Sequence, residues 1–318
     1  MMKKIISLLL ALCLMLTAAL ALAEPAANVA ALKGPTAMGM VKMMTDEADG
    51  YNWTIAAAID EITPLLAKGE LDIAAVPANL AAVLYNKTQG KIKVLAVNTL
   101  GVLYIVENGD TVQSVEDLRG KTIFASGKGA TPEYALNYLL RENGMDPEKD
   151  VTIEYKSEHA ECLASLTATE GAVAMLPQPF VTTAQMKNDS IRIALDMNEE
   201  WAKLQEGKEE QSALITGVVV ARSEFINAHP ETVAAFMDSY KASVAFVNEN
   251  NDEAATLVGS FDIVPEAVAK LALPYCKIVY IDGADMTSQL SGYLKVLYDA
   301  DPAAVGGTLP DEAFYYQR

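Results

Sequence analysis

The stretch of residues 121–178 constrains the fold of this chain more than any other segment. An apolar run at 121–125 predicts a buried strand, and a loop that contains Gly127 and Gly129 follows it. An amphipathic helical pattern comes next, and a second strand is predicted at 151–155. The stretch is therefore predicted to form a βαβ unit with a glycine-rich first turn.

The helix of this unit is predicted to start directly after the glycine loop. Thr131 is expected to cap it, Pro132 suits its first turn, and Glu133 complements the positive end of its dipole. Such a loop leaves backbone N–H groups unpaired, so it can hold an anionic or acceptor-rich small molecule. The alternative is that Gly127 and Gly129 only allow the chain to turn.

Similar segments recur at an offset of 95 to 100 positions along the chain. The matching pairs, in chain order, are 33–36 with 128–131, 73–79 with 173–179, and 91–94 with 190–193. Three matches in one order indicate two similar α/β halves. Shared βαβ chemistry is the alternative explanation, since it produces such a likeness without any duplication.

Predicted strands alternate with predicted helices in both halves, which is typical of mostly parallel sheets flanked by helices. Two extended runs, at 101–106 and 214–221, are predicted to be paired crossovers that form a hinge. We therefore predict an α/β fold with two lobes joined by two hinge crossovers. Lobe 1 is expected to contain residues 24–104 and 214–318, and lobe 2 residues 105–213.

Ligands of open α/β sheets bind beyond the carboxyl ends of the strands, where the turn residues of both halves are predicted to lie. Two such edges that face each other would form a cleft. The candidate ligand-binding residues are Gly34, Pro35, Thr36 and Asn79 on one side, and Ser126, Gly127, Lys128, Gly129, Thr131 and Gln178 on the other.

The first 23 residues have the three regions of a secretory signal: Lys3 and Lys4, an apolar run at 5–22, and an A-x-A pattern at 21–23. An uncleaved membrane anchor is the alternative, because the run approaches spanning length. The formal net charge of −18 argues against nucleic acid and anionic lipid surfaces as partners. We expect an exported protein, periplasmic or extracellular.

The sequence gives little support for a catalytic or metal-binding function. The chain lacks the G-x-S-x-G, H-E-x-x-H and G-x-x-x-x-G-K-[ST] patterns. His159 and Cys162 have i, i+3 spacing on a predicted helix, but an ordinary helix face is favoured over a metal site. Cys162 and Cys276 form one disulfide or remain buried free thiols. We expect no catalytic residue, metal or cofactor.

Several segments resemble the solute-binding proteins of ABC importers, most closely the group for nitrate, sulfonate, taurine and thiamine-precursor uptake. They are VEDLRGKTI at 115–123, an amphipathic helix at 134–144, CLASL at 162–166, PQPF at 177–180, SEFI at 223–226, and HPETV at 229–233 with the helix to residue 250. The likeness covers nearly all of the chain after residue 23.

The resemblance implies a type II periplasmic-binding-protein fold whose two lobes close on a small molecule and deliver it to a membrane permease. It places the binding loops on the candidate residues above and adds Thr216 on the return crossover. A monomer that partners with ABC permease subunits is expected. The chain departs from the family in lacking an evident lipid-modified cysteine, which leaves the mode of membrane association open.

The sequence alone does not identify the ligand. Lys128 and helix N-termini favour a sulfonate, carboxylate or similar anion. The aromatic pair Tyr51 and Trp53, if either ring reaches the cleft, equally suits a vitamin-precursor heterocycle such as a pyrimidine. Two other functions share the fold: an enzyme acting on a thiamine or menaquinone precursor, against which the signal argues, and a solute-sensing receptor module.

Overall fold

The computed structural model describes residues 26–48, 50–208 and 212–318. The predicted signal segment, 1–23, lies outside these residues. Among the helices of the described ranges, none is both long and apolar enough to cross a membrane.

Strands and helices alternate along most of the described chain. The strands are β1 Ala27–Leu32, β2 Tyr51–Ala56, β3 Ile73–Pro77, β4 Ile92–Leu100, β5 Leu103–Asn108, β6 Thr122–Ser126, β7 Thr152–Lys156, β8 Val173–Pro177, β9 Ile191–Asp196, β10 Ile215–Arg222 and β11 Ile278–Ile281. The helices are α1 Pro35–Met38, α2 Val41–Asp46, α3 Ile59–Lys68, α4 Ala78–Thr88, α5 Thr131–Glu142, α6 His159–Ala168, α7 Phe180–Lys187, α8 Met197–Gln205, α9 Ser223–Ala228, α10 Pro230–Glu249, α11 Asn251–Ser260, α12 Glu266–Ala272 and α13 Gly283–Ala300.

The strands form two sheets, one for each lobe, as the sequence predicted. The sheet of lobe 1 has the order β11-β4-β10-β3-β1-β2, and the sheet of lobe 2 has the order β7-β6-β8-β5-β9. Apart from β11, the two orders correspond strand for strand, with β1 matching β6 and β3 matching β8. The recurring segments of the sequence thus occupy equivalent places in two similar sheets.

Both sheets are mixed, with more antiparallel pairing than the predicted mostly parallel sheets. In lobe 1, β1 runs parallel to β2 and β3, while β10 pairs antiparallel with β3 and β4. In lobe 2, β6 runs parallel to β7 and β8, while β5 pairs antiparallel with β8 and β9. The difference arises because the strands that enter from the other lobe, β5 and β10, run against their neighbours.

The two predicted crossovers connect the lobes. The first runs from β4 into β5, which starts at Leu103 and already belongs to the sheet of lobe 2. The second runs from α8 into β10, which returns to the sheet of lobe 1. The segment after β10 packs mainly on lobe 1, where α10 and α11 contact α2.

Apolar packing fills both lobes. In lobe 1, Phe236 and Tyr240 of α10 are buried with Met38 and Met40 in one cluster. Tyr51 lies with its ring centroid 5.7 Å from that of Phe236. Trp53 packs against the same cluster, so neither ring that was considered as a ligand partner lies in the cleft. A second cluster joins the two lobes and includes Ile105 and Tyr293.

Gly217 lies where the return crossover meets the end of β4. A Cβ atom placed there would lie 2.5 Å from Asn98 Oδ1 and 3.0 Å from Thr36 Cγ2. Asn98 is fully buried, so it has little freedom to move away. The small residue is therefore required by the close approach of β10 to its neighbours.

We predict that Gly217→Ala lowers the free energy of unfolding by about 1–3 kcal/mol, because overpacking forces neighbouring groups out of their positions. Differential scanning calorimetry would show a melting temperature lower by a few degrees. Combining it with Asn98→Ala, which removes the amide in the way, should cost less than the sum of the two single changes. Additive costs would show that the contact does not explain the glycine.

Candidate functional site

A cavity of about 110 Å³ lies between the two lobes, at the carboxyl ends of the central strands. This space has room for a few water molecules or a solute of about one ring. The lining residues are Leu32, Lys33, Gly34, Pro35, Thr36, Pro77, Thr99, Val102, Leu103, Thr131, Pro132, His159, Pro177, Gln178, Phe180 and Thr216. Both lobes and both crossovers therefore contribute to one site.

The sequence-predicted residues divide into two groups. Those that line the cavity are Gly34, Pro35, Thr36, Thr131, Gln178 and Thr216. Those that lie outside its lining are Asn79, Ser126, Gly127, Lys128 and Gly129. The turn after β1 and the turn after β8 are thus brought together, whereas most of the glycine loop is not.

Lys128 lies away from the cavity. Its Nζ is 5.8 Å from the centre of the Tyr155 ring, on the outer side of lobe 2. Gly127 and Gly129, which flank it, both have φ of +76°, a conformation that side chains rarely adopt. The loop therefore turns sharply at Lys128, and the predicted lysine–anion contact is not available in the cavity.

The start of α5 also differs from the prediction. Ala130 is the N-cap, Thr131 is the first helical residue, and no side chain caps the helix. Gly129 N instead donates to the carboxylate of Glu133, which occupies the positive end of the helix from within lobe 2. An anion bound there would meet this carboxylate. The prediction that Thr131 caps the helix was therefore wrong.

Thr131 and Asn79 contact each other across the lobes. Thr131 Oγ1 donates to Asn79 Oδ1 at 3.2 Å. Asn79 Nδ2 donates to Ala304 O at 3.0 Å and lies 3.4 Å from Gly129 O. Asn79 is fully buried and lies outside the cavity lining, so its amide joins the lobes.

Gln178 presents a hydrogen-bond donor to the cavity. Its Oε1 accepts from Thr182 N at 3.2 Å and from Thr182 Oγ1 at 2.8 Å. Among the described residues, no hydrogen bond uses Gln178 Nε2. Since Gln178 lines the cavity and is 2 % exposed, its Nε2 is available to donate to a molecule in the cavity.

The threonine hydroxyls of lobe 1 offer acceptors. Thr36 Oγ1 donates to Leu32 O at 2.8 Å, and Thr216 Oγ1 donates to Leu100 O at 2.7 Å. Each hydroxyl proton is thus used within the protein, while the oxygen lone pairs remain. Lobe 1 therefore complements the donor that Gln178 supplies from lobe 2.

His159 lies in the cavity wall, although sequence reasoning considered it only as a metal ligand. Its Nδ1 is hydrogen-bonded to Ser126 Oγ, and its ring lies 5.2 Å from that of Phe180. Burial lowers the pKa of His159 to about 4, so the imidazole is neutral near pH 7. Its position after β7, at the same sheet edge as the other turns, was the sequence signal that could have found it.

Cys162 lies one helical turn from His159 and is buried as a free thiol, as is Cys276. Burial raises the pKa of Cys162 to about 11 and that of Cys276 to about 12. Neither thiol is therefore reactive near neutral pH. Across the described ranges, no group of three or more candidate side chains is placed to hold a metal ion.

Charge is sparse around the cavity. Apart from neutral His159, the ionisable side chain in its lining is Lys33. The Nζ of Lys33 lies 3.5 Å from the carboxylate of Asp262, and its side chain is 39 % exposed. The lysine therefore lies at the solvent-facing rim, and the interior wall carries uncharged groups.

Residues 19–258 match the model of a family described as ABC transporter, phosphonate, periplasmic substrate-binding protein. The chain belongs to this family. Its members are substrate-binding components that bind small ligands and work with ABC permease subunits. No curated protein matches the chain in sequence.

Solved structures of this kind share the fold. An ABC transporter protein from Parabacteroides distasonis is 25% identical with a TM-score of 0.75, covering 92% of this chain and 99% of its own. The aliphatic sulphonate binding protein SsuA from Escherichia coli is 13% identical with a TM-score of 0.71, covering 92% of both chains. The SsuA protein from Xanthomonas axonopodis pv. citri, bound to MOPS, is 17% identical with a TM-score of 0.68, covering 91% and 96%.

We predict that His159 makes stability depend on pH. Its folded pKa of about 4 lies below the ordinary value of about 6.5, so the unfolded chain binds this proton more readily. Stability is therefore lost as the pH falls from about 6.5 toward 4. Urea unfolding at pH 7 and pH 4.5 measures how much free energy of unfolding is lost between these two pH values. In the variant His159→Gln, this loss should be smaller than in the wild type by on the order of 2 kcal/mol.

The matched control is His229→Gln, which changes the other histidine, an exposed residue at the start of α10. It should keep the wild-type loss between the two pH values. An equal loss in wild type and His159→Gln would contradict the lowered pKa of His159.

Proposed function

We propose that the protein captures a small, uncharged heterocyclic solute in the interlobe cavity and delivers it to an ABC permease. The observation that carries this proposal is the character of the cavity wall: apart from Lys33 at the rim, it consists of apolar side chains and uncharged polar groups. The planar Phe180 and His159 rings lie on one side of it. Flat rings pack well against such surfaces.

Electrostatics favours an uncharged solute over a phosphonate, the ligand class in the family description. Burying an ion without a partner costs far more than burying an uncharged polar group, and among the described residues no cation lies in the interior wall. The hydrogen-bonding groups suit a ring with both acceptor and donor atoms. Gln178 Nε2 would donate to it, while the Thr36 and Thr216 oxygens would accept from it.

A monoanionic sulfonate or carboxylate is the second candidate, and one observation favours it. Lys33 lies at the rim, where its ion-pair partner is Asp262, whose side chain is fully exposed. Such a solute would place its charged end at Lys33 and its apolar end in the interior. The SsuA neighbours bind compounds of this kind: one is named for aliphatic sulphonate, and the other holds MOPS.

We infer that the protein does not transform its solute. Ser126 and His159 form a hydrogen-bonded pair of the kind used in nucleophilic catalysis. However, Ser126 is 2 % exposed and lies outside the cavity lining, so its hydroxyl is not positioned to attack a bound molecule. Its contact orients the imidazole, whose other nitrogen is left for the solute.

We further propose that residues 24–104 and 214–318 form lobe 1 and residues 105–213 form lobe 2. The boundary between residues 104 and 105 lies just inside β5, and the boundary between residues 213 and 214 lies just before β10. The protein would act as an exported monomer after removal of residues 1–23. Membership of a periplasmic binding family is consistent with this location.

A thermal-shift screen tests the solute class, since a bound solute raises the melting temperature according to its concentration relative to Kd. We expect stabilisation by pyrimidines and related uncharged heterocycles, and none by inorganic phosphate or methylphosphonate. Lys33→Gln should leave the affinity of a heterocycle unchanged. If only sulfonates or carboxylates stabilise the protein, and Lys33→Gln abolishes the effect, the second candidate is correct.

Gln178→Met removes the amide while roughly keeping the length of the side chain. We predict that it raises the Kd of the stabilising heterocycle roughly three- to tenfold, the effect of one lost hydrogen bond, by calorimetric titration. Gln113→Met, on the exposed surface of lobe 2, is the control and should not change the Kd. An unchanged Kd in both variants would remove Gln178 from the binding site.

A further inference from the structure

The interlobe cavity is enclosed by direct contacts between the lobes in addition to the crossovers. On one side, α4 and α13 of lobe 1 contact α5 of lobe 2. On another, α12 of lobe 1 contacts α7 of lobe 2. The structure thus has its lobes closed around the cavity, and the residues at these contacts help to determine whether it stays closed.

Three buried side chains form a polar cluster at the contact of α4 and α13 with α5. Tyr293 OH donates to Thr131 Oγ1 at 3.4 Å, and Thr131 Oγ1 donates to Asn79 Oδ1 at 3.2 Å. Tyr293 and Asn79 belong to lobe 1, and Thr131 belongs to lobe 2. All three are at most 1 % exposed. We call Asn79, Thr131 and Tyr293 the interlobe cluster.

The surroundings of the interlobe cluster are apolar. The Tyr293 ring lies 5.5 Å from the Trp201 ring of lobe 2. Hydrogen bonds in such an environment are electrostatically stronger than in water, and a polar group left there without a partner is costly. The cluster is therefore satisfied either by closed lobes or by water that enters when the lobes separate.

We propose that the interlobe cluster holds the lobes closed, with Asn79 and Tyr293 as positioning residues that do not touch the solute. Neither residue lines the cavity, whereas Thr131 both lines it and completes the cluster. The interlobe cluster consists of protein groups alone. Only its consequence, slower release of the captured solute, rests on the proposed function.

The cluster also accounts for an amide side chain at position 79. Its amide spans both lobes because Nδ2 bonds Ala304 O within lobe 1, which fixes the orientation that presents Oδ1 to Thr131. An amide in this place supplies a donor for its own lobe and an acceptor for the other. An apolar side chain would fill the space without joining the lobes.

Thr131→Val and Tyr293→Phe test the proposal, because each removes hydroxyl hydrogen bonds while keeping the size of the side chain. Small-angle X-ray scattering on the solute-free protein should give a larger radius of gyration for both variants. Each should shift the closed-to-open ratio toward open by roughly three- to tenfold, the factor expected for one hydrogen bond. Amides at the start of α5 should exchange hydrogen faster by a similar factor.

The control is Thr167→Val on α6, whose hydroxyl bonds only carbonyls of its own helix. It should keep the wild-type scattering curve. A lower melting temperature with unchanged scattering in Thr131→Val and Tyr293→Phe would mean that the cluster only supports the fold, and would overturn the proposal. Because no solute is added, this result is independent of the solute screen. Tyr293→Phe, which removes a single oxygen, keeps the test open if Thr131→Val does not fold.

Discussion

The rest of the structure depends on how the two strands that follow the crossovers, β5 and β10, enter their sheets. β5 enters the sheet of lobe 2, and β10 returns to the sheet of lobe 1, each antiparallel to its neighbours. Their registers are equivalent, since Leu103 pairs with Pro177 and Gly217 pairs with Pro77. β5 and β10 therefore each begin beside the carboxyl end of a central strand, β8 in lobe 2 and β3 in lobe 1. This arrangement brings the carboxyl edges of both sheets to the cavity between the lobes.

The fold could be predicted because its signals are local. Alternating strands and helices, recurring segments and two extended runs are visible in the sequence, and the structure places them in two sheets of corresponding order. The direction of β5 and β10 could not be predicted in the same way. It depends on pairing between strands that are distant in the chain, such as β10 with β3, for which no local pattern provides a signal.

The site was predicted where it depends on backbone position and missed where it depends on side-chain direction. Gly34 to Thr36 and Gln178 follow the strand ends that face the cavity, so sheet topology alone identifies them. Lys128 was assigned to the same edge, but two glycines with positive φ turn it outward. His159 was missed because its role depends on the contact with Ser126, 33 residues earlier in the chain.

The position of Lys128 outside the cavity affects both what the site can bind and how the lobes close. A cleft lined with cations would be held open by their mutual repulsion until an anion arrived. Lys33 at the rim is the charged side chain in the lining of this cavity, so repulsion between cations does not oppose the approach of the lobes, and short-range contacts decide the balance. Asn79 and Thr131, both predicted from the sequence as ligand-binding residues, take part in those contacts, and Thr131 also lines the cavity. The uncharged solute and the interlobe cluster that we propose therefore both follow from the scarcity of charge in the interior wall of the cavity.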